Sequence, residues 1–554
     1  MKRINCQERE RSVNAFPEFS VLKKEKMRRN PYRINRCMMK TARKYILITV
    51  VSFAFMSFEY PLASLSFAQS QPVKENQEER ASVPFGFHIG RIYPKDIVAH
   101  NPNNLADPEL WGTYSYAQDI GVGWERPGMY AFIPPEEAGI SWQQVMDSNY
   151  GGIPISMNIL ATIDVRRWTA VQPSSVPEEL KKLTTYNPPV SYLKLLDEKK
   201  YIQFVRDLVE RYDGDGVDDM PGLKNPIKYW QIDNELPGPA PSEISPAFNP
   251  ETNSESTAEW LSASLKNYTH ILEITIKAIR AQDPEAKIAL SGMADVGPAT
   301  EKLFRAYYLG VLQRLEEKHI DIFDYHFYGN GSGDWKVMKD AYQMIREGLD
   351  KIGYKDTLIW ITETAAYTGR PRDVQGDAPY KTEKEQAIDL FKRIIFPFSF
   401  GVKKIFWFSI MDNPSSEGPD GHTGLLYNGK GEGNPGYCAK KLSYYTAKKL
   451  TEMLRGCNWE NMQVIQEKDG IGVYKFMKQA NPLWVVWNDT QEEKQVEISG
   501  IVSNEVLITE ALPRSDSGKG VQDYYSAFHS ETKAVKEGKA SISVKDIPVF
   551  VSEK

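Results

Sequence analysis

"KYWQIDNELPG", Lys228 to Gly238, is the stretch on which the fold turns. Its aromatic, half-apolar beginning reads as a β-strand. It ends abruptly in Asp233-Asn234-Glu235, before Leu-Pro-Gly redirects the chain. A long carboxylate at the mouth of a strand either simply surfaces there or is placed to do chemistry. The choice depends on what the other strands carry at the same end.

Seven further runs read as strands: "PFGFHIG" (84–90), "VGWERP" (122–127), "IPISMNIL" (153–160), "KIALSG" (287–292), "IFDYHFY" (322–328), "TLIWITE" (357–363) and "KKIFWFSI" (403–410). Between them lie stretches with apolar residues three and four apart, such as "DEKKYIQFVRDLVERY" and "AEWLSASLKNYTHILEITIKAIRAQD", with the same pattern in "EKEQAIDLFKRIIFPFSF" and "YCAKKLSYYTAKKLTEML". A strand followed by a helix or long loop, eight times over, predicts an α/β fold of the (β/α)8 barrel type over 84–456. A doubly wound sheet is the alternative, and its glycine-rich fingerprint after the first strand is missing. From about Trp459 the pattern changes to short alternating runs split by turns. A small antiparallel β-sandwich is expected over 457–554.

Residues 1–68 read as a targeting region. Basic "RINRCMMKTARK" is followed by "YILITVVSFAFMSF", apolar but short for a membrane span, and Ser66 and Ala68 occupy small-residue cleavage positions. Cleavage is expected after Ala68, with initiation at Met27, Met38 or Met39 accounting for the long lead, and 69–83 forming a polar linker. That makes the protein exported, periplasmic or extracellular, without a stable membrane anchor. The formal net charge of −5 leaves the body mildly acidic, which gives no support for nucleic-acid binding. If Cys438 and Cys457 flank a single helix they stand roughly 28 Å apart at the helical rise. A disulfide tolerates about 7 Å between Cα atoms, so two free thiols are expected.

In a (β/α)8 barrel the chemistry sits at the C-terminal ends of the strands. Strand two ends in Glu125-Arg126, strand four in Asn234-Glu235, strand six in His326 and Tyr328, strand seven in Glu363, and strand eight carries Trp407 and leads to Asp412. Two carboxylates on one rim suit glycosidic bond cleavage, one protonated for the leaving oxygen and one charged. Arg126 and Tyr328 would keep one of them ionised, and the other, less well paired, would hold its proton longer. An indole at strand eight would offer a face to a sugar ring. Glu125 and Asp412 read as loop charges, and His422 as a lesser sugar contact. The loops 329–335 and 412–424 are expected to wall the cleft.

These motifs resemble the clan A retaining glycoside hydrolases, most like family 39 and its relatives, with family 5 next. "YWQIDNEL" is similar to their strand-four Asn-Glu motif, "LIWITETA" to the strand-seven nucleophile, "DYHFY" to the strand-six His-x-Tyr and "KKIFWFSI" to the strand-eight Trp. The resemblance spans most of Pro84–Leu454. It implies Glu235 as acid/base and Glu363 as nucleophile, Asn234 on the sugar 2-hydroxyl, and Arg126, His326 and Tyr328 as support for Glu363. Trp407 would be the sugar platform. Leu236 stands where the common motif has proline.

The reading is therefore a retaining glycosidase acting on a carbohydrate, with no cofactor needed. A polysaccharide-remodelling transglycosylase would share every catalytic residue. A non-catalytic carbohydrate-binding barrel would keep the aromatics and lose a carboxylate. One further cluster, Asp213, Asp215, Asp218 and Asp219 in "RYDGDGVDDMPG", resembles a calcium loop, although its spacing is not that of an EF-hand and Asp and Gly also simply make turns. A calcium ion there would be structural.

Overall fold

The computed structural model describes residues 83–554 apart from 93–94, 96–111, 135, 170–192, 237–254, 296, 298–299, 318–319, 330–333, 374–375, 415, 431–433 and 491. The targeting region, nearly all of the linker and most of the tip of the 329–335 loop lie outside the described residues. Eight parallel strands close into a barrel: β1 (Phe85–His88), β2 (Trp124–Arg126), β3 (Asn158–Ile163), β4 (Tyr229–Ile232), β5 (Lys287–Ala289), β6 (Ile322–Phe327), β7 (Leu358–Thr364) and β8 (Ile405–Phe408). β8 pairs with β1, Phe85 opposite Ile405, and shuts the ring without an edge. The expected (β/α)8 barrel is thus the observed one. The third strand begins five residues later than its sequence run, because Ile153–Met157 form a turn in which Met157 N–H donates to Pro154 O at 2.9 Å.

Alternation along the strands builds the barrel interior in layers. Trp124, Leu160, Ala289, Ile322, Trp360 and Phe406 form a cluster of their own, with Tyr229 packed against it. Trp124 meets Trp360 edge-on at 5.2 Å and Tyr229 at 4.9 Å. Side chains two apart on a strand share a face. Two residues on from Trp124, Leu160, Tyr229, Ile322 and Trp360 come Arg126, Thr162, Gln231, Asp324 and Thr362, and all five are buried. The apolar floor therefore carries a polar layer directly above it.

Outside the ring, helices bury one apolar stripe each. The helix Glu198–Tyr212 is capped by Asp197, which accepts from Lys200 N–H at 3.1 Å, and buries Tyr201, Phe204, Val205, Leu208, Val209 and Tyr212. The helix Glu383–Ile395 starts on a Thr382–Glu385 capping box and gives way to a 3-10 turn containing Pro397. "YCAKKLSYYTAKKLTEML" is not a single helix. Tyr437–Lys440 forms a strand, with Cys438 at a φ of +59°, and the helix begins at Leu442. Cys438 and Cys457 are both free thiols.

Gly456 leads into a second set of strands: β9 (Cys457–Lys468), β10 (Ile471–Lys478), β11 (Asn481–Asn488), β12 (Lys494–Ser499), β13 (Glu505–Glu510), β14 (Ser530–Ala534), β15 (Lys539–Val544) and β16 (Val549–Glu553). Six of them form an antiparallel sheet in the order β9-β10-β11-β16-β13-β14, and β12 and β15 pair separately. The middle strands of the large sheet, β10, β11 and β16, are buried on both faces. Val473, Trp484, Val486 and Val551 pack on Ile498 and Ile542 of the small sheet. The alternate residues Tyr474, Phe476, Leu483, Val485, Trp487 and Phe550 belong to the main core instead. Phe550 meets Phe391 at 5.5 Å, Trp487 meets Trp335 at 5.7 Å and Trp459 meets Phe398 at 4.8 Å. The strand aromatics Tyr474, Phe476, Trp484, Trp487 and Phe550 are core. Because one hydrophobic cluster runs from barrel to sandwich, heating should unfold both in one calorimetric transition; two resolved transitions would contradict a continuous core.

Candidate active site

The polar layer is a hydrogen-bonded lattice with Arg126 at its centre. Its Nε donates to Gln231 Oε1 at 2.8 Å, Nη1 to Glu363 Oε1 at 2.7 Å and Nη2 to Asn234 Oδ1 at 2.6 Å. Gln231 also takes the Thr162 hydroxyl at 3.2 Å and passes its own N–H to Asp324 Oδ2 at 2.5 Å. Asp324 accepts the Thr362 hydroxyl and, through its other oxygen, the Thr362 amide at 3.0 Å. Arg126 is fully buried, so a charge that would be costly alone is offset by three acceptors, one of them ionisable.

Above this layer the strand ends present the expected groups. Glu363 owes its position to a β-bulge. His326 pairs with Glu363 while Tyr325 pairs with Ile361, so Thr362 is the extra residue, and both Thr362 and Glu363 face inward. Tyr328 donates its hydroxyl to Glu363 Oε2 at 2.6 Å. Glu235 enters from a turn after β4 in which Asp233 and Glu235 have positive φ, 68° and 52°. Asp233 holds that turn by accepting Asn234 N–H at 2.6 Å and Arg166 N–H at 3.0 Å. An oxygen of Glu235, a ring nitrogen of His326 and an oxygen of Glu363 all lie within 4.8 Å of one another. Among the described residues these three and Asp213, Asp215 and Asp219 are the sets close enough to share a cation.

Leu236 has a reason that sequence did not show. Its side chain is buried, its N–H donates to Ser291 Oγ at 3.0 Å, and its carbonyl accepts from Tyr308 OH at 2.7 Å. A proline would have no N–H to give. Gly292, opposite this turn, leaves room for His326: a Cβ there would sit 2.4 Å from Nε2.

Electrostatics correct one expectation. His326 Nδ1 bonds Glu235 Oε1 at 2.7 Å and stands 3.5 Å from Glu363, so it serves Glu235 first. Burial opposes its charge, but Glu363, Asp324 and Glu235 together raise the imidazole to about 10. Burial likewise raises Glu235, yet His326, Arg126 and Arg166 outweigh it and hold that carboxyl below its usual range. The carboxyl expected to hold its proton longer is thus drawn below its usual range, beside an imidazole raised above its own.

Other expectations also change. Trp407 is 2% exposed, joins the outer core and donates its indole N–H to Thr423 O at 3.0 Å. It points away from the barrel lumen and is no sugar platform. Phe408, the next residue, takes the inward position, 5.2 Å from the His88 ring and 6.2 Å from Tyr328. Asp412 is buried in an ion pair with Lys441 at 2.7 Å. His422 is a half-buried neighbour of that pair, and burial lowers its pKa. Asp213, Asp215 and Asp219 converge on the loop that enters β4, at the end of the barrel away from the rim, with Asp218 outside the cluster. Their carboxylates accept backbone N–H groups: Asp219 from Gly214 and Gly216, Asp213 from Asp215. These are turn-forming bonds of the kind Asp makes in any tight loop.

Several site groups carry no strand-end signal in the sequence. His88, at the end of β1, donates Nδ1–H to Arg126 O at 3.0 Å, and burial together with Arg126 lowers its pKa to about 3. Its Nε2 is then an unprotonated acceptor 3.5 Å from Glu363. Tyr130 and Arg166 lie in the loops after β2 and β3. Gln231, Asp324 and Thr362 could have been found by counting two residues past each apolar floor residue.

The sequence matches no family model and no curated protein. Among solved structures the chain is similar to a glucosidase from Croceicoccus marinus, at a TM-score of 0.51 and 13% identity over 86% of this chain and 96% of that one. It is similar also to an α-L-arabinofuranosidase from Thermotoga maritima, at 0.52 and 13% over 85% and 96%. At such identity the likeness speaks for the fold.

Glu125 is not a loop charge but a buried carboxyl whose two oxygens accept Gly90 N–H at 3.1 and 3.0 Å. A Cβ at Gly90 would stand 2.5 Å from one of them, so this contact needs glycine. Burial raises the Glu125 pKa to about 8. The fold then retains a proton that the unfolded chain releases near its ordinary value, and stability falls as pH rises from about 4.5 towards 8. Glu125→Gln removes this loss. Its melting temperature should gain on wild type by about 2 °C or more between pH 5 and pH 8, and a constant difference across that range would contradict the assignment.

Proposed function

We propose that the protein is a retaining glycoside hydrolase acting on an oligo- or polysaccharide. The observation that carries this is the pairing of two carboxylates with unlike partners across one cup. Glu363 is pinned on both oxygens by Arg126 and Tyr328, and Glu235 is coupled to a protonated imidazole, with an oxygen of each within 4.8 Å. One oxygen of each within 4.8 Å favours the short separation of retaining enzymes, about 5–5.5 Å between carboxyl groups, over the about 6.5–9.5 Å of an inverting pair.

Glu363 attacks the anomeric carbon, forming a carboxylate–carbon bond as the glycosidic C–O bond breaks. The leaving oxygen takes the proton held by the Glu235–His326 pair, which relays across 2.7 Å from Nδ1 to the carboxylate. In the second step water gives a proton back to Glu235, its oxygen bonds the anomeric carbon, and the bond to Glu363 breaks. Arg126 takes the Asn234 amide oxygen, so the amide's N–H2 faces the cup, free to bond a sugar hydroxyl. The basic, apolar leader ending at Ala68 supports export of the enzyme.

A screen of aryl glycosides and polysaccharides with the mature protein identifies the substrate. On that substrate Glu363→Ala should lose roughly 10⁴-fold or more in kcat. Azide should restore turnover and yield a glycosyl azide of inverted configuration. Undiminished activity, or rescue with retained configuration, would overturn the assignment of Glu363 as nucleophile.

A further inference from the structure

We infer that Asp324, acting through the Thr362 hydroxyl, is a positioning residue for the acid step: it keeps the Nε2 hydrogen on His326, so that the proton between Nδ1 and Glu235 can be given away. The inference rests on the glycosidase reading of the same site. It follows from which groups of the polar layer donate and which only accept. Arg126 only donates. Its Nε meets Gln231 at 2.8 Å, so the atom there is the amide oxygen and the Gln231 nitrogen faces the other way. That nitrogen donates to Leu290 O, a pure acceptor, at 3.1 Å and to Asp324 Oδ2 at 2.5 Å. The other Asp324 oxygen takes the Thr362 amide, a pure donor, at 3.0 Å. Asp324 is thus an acceptor on both oxygens. Burial alone would raise its pKa, yet His326, Arg126 and Thr362 hold it below the usual range.

The Thr362 hydroxyl has one hydrogen and two neighbours able to take it. Asp324 Oδ2 lies at 2.5 Å and His326 Nε2 at 3.3 Å. The nearer, charged acceptor takes the hydrogen. The hydroxyl then shows Nε2 only a lone pair, and Nε2 carries its own hydrogen to make that bond. Asp324 itself stands 3.7 Å from Nε2, too far for a direct bond. Gly292 leaves room for both groups, since a Cβ there would sit 2.4 Å from Nε2 and 2.8 Å from Asp324 Oδ2. On the other side of the ring, Nδ1 meets Glu235 Oε1 at 2.7 Å. One proton lies in that bond, supplied by the imidazolium or by the carboxyl. With Nε2–H fixed, passing this proton to the leaving oxygen through Glu235 leaves a neutral imidazole and an ionised carboxylate. Were Nε2 bare, the same transfer would leave an imidazolate, which is far too basic to form near neutral pH.

Two readouts on the intact mature protein test this, one of them independent of turnover. The first is the nitrogen NMR spectrum of protein labelled with 15N-histidine, the His326 signals being identified by their loss in His326→Gln. At neutral pH wild-type Nε2 should give the signal of a hydrogen-bearing nitrogen. Asp324→Asn must turn its N–H2 to the Oδ2 position, because the Thr362 amide still needs Oδ1, so the Thr362 hydrogen swings to Nε2 and that nitrogen should lose its own. The second readout is kcat/KM, which reports the first bond cleavage, on a phenyl and a 2,4-dinitrophenyl glycoside of the substrate sugar. Dinitrophenolate leaves without a proton, so Asp324→Asn should lose about tenfold or more on the phenyl glycoside beyond its loss on the other. Thr362→Val, which removes the acceptor of Nε2–H, should move both readouts the same way, and Thr362→Ser should restore both. A bare Nε2 in wild type, an Nε2 hydrogen that survives in Asp324→Asn, or equal losses on the two glycosides would each overturn the inference. Absence of hydrolysis by wild type would overturn the glycosidase reading and the acid-step role with it, while the nitrogen signals decide the position of the hydrogen separately.

Discussion

The buried guanidinium of Arg126 joins the ends of three strands that are far apart in sequence. Through Gln231 and Asn234 it reaches β4 and its exit, and through Glu363 it reaches β7. From β6, Asp324 makes a second link between those strands, accepting from Gln231 and from Thr362. Taking one partner from a buried ion pair costs about 3–5 kcal/mol because the remaining charge is stranded. Arg126 and Glu363 therefore stabilise each other's burial, and the layer beneath them exists to satisfy what each leaves over. Gln231, Asp324, Thr162 and Thr362 carry the remaining bonds down to the apolar floor. The geometry of the two carboxylates follows from this lattice, since a side chain pinned on both oxygens has no freedom to swing.

The second carboxylate is governed by a separate device. Glu235 sits on a turn with two positive-φ residues, where Asp233, Ser291 and Tyr308 take up the backbone groups. His326 bonds Glu235 at 2.7 Å, and against the effect of burial it joins Arg126 and Arg166 in drawing that carboxyl below its usual range. Two glutamates on one rim acquire different chemistry because one meets a guanidinium and a phenol and the other an imidazolium.

How far the sequence disclosed this depended on the length and parity of each run. "KYWQIDNEL" and "LIWITETA" placed Glu235 and Glu363 on the rim, and Arg126 followed from "VGWERP", since a polar group ending an apolar strand is legible. Parity failed in "IFWF": with four apolar residues in a row, nothing in the sequence tells which alternate pair faces inward, and Trp407 turned out while Phe408 turned in. The bulge at Thr362 left no sequence mark, although Glu363 needs it to point into the cup. Glu125 next to Arg126 shows the same parity in reverse, being buried on the outer face beneath Gly90. Loop residues such as Arg166 and Tyr130 have no periodicity to read, so only the fold could bring them to the site. The reason for Leu236 lies in the fold, where its amide donates to Ser291 on a neighbouring strand end.

In the proposed mechanism Glu363, held by Arg126 and Tyr328, becomes covalently bonded to the sugar. The most direct measurement is to trap that bond with an activated 2-deoxy-2-fluoro glycoside of the substrate sugar, digest the protein and locate the added mass. The label should fall on the peptide containing Glu363 and be released slowly with return of activity. A label on Glu235 or elsewhere, or turnover with inversion at the anomeric carbon, would contradict it.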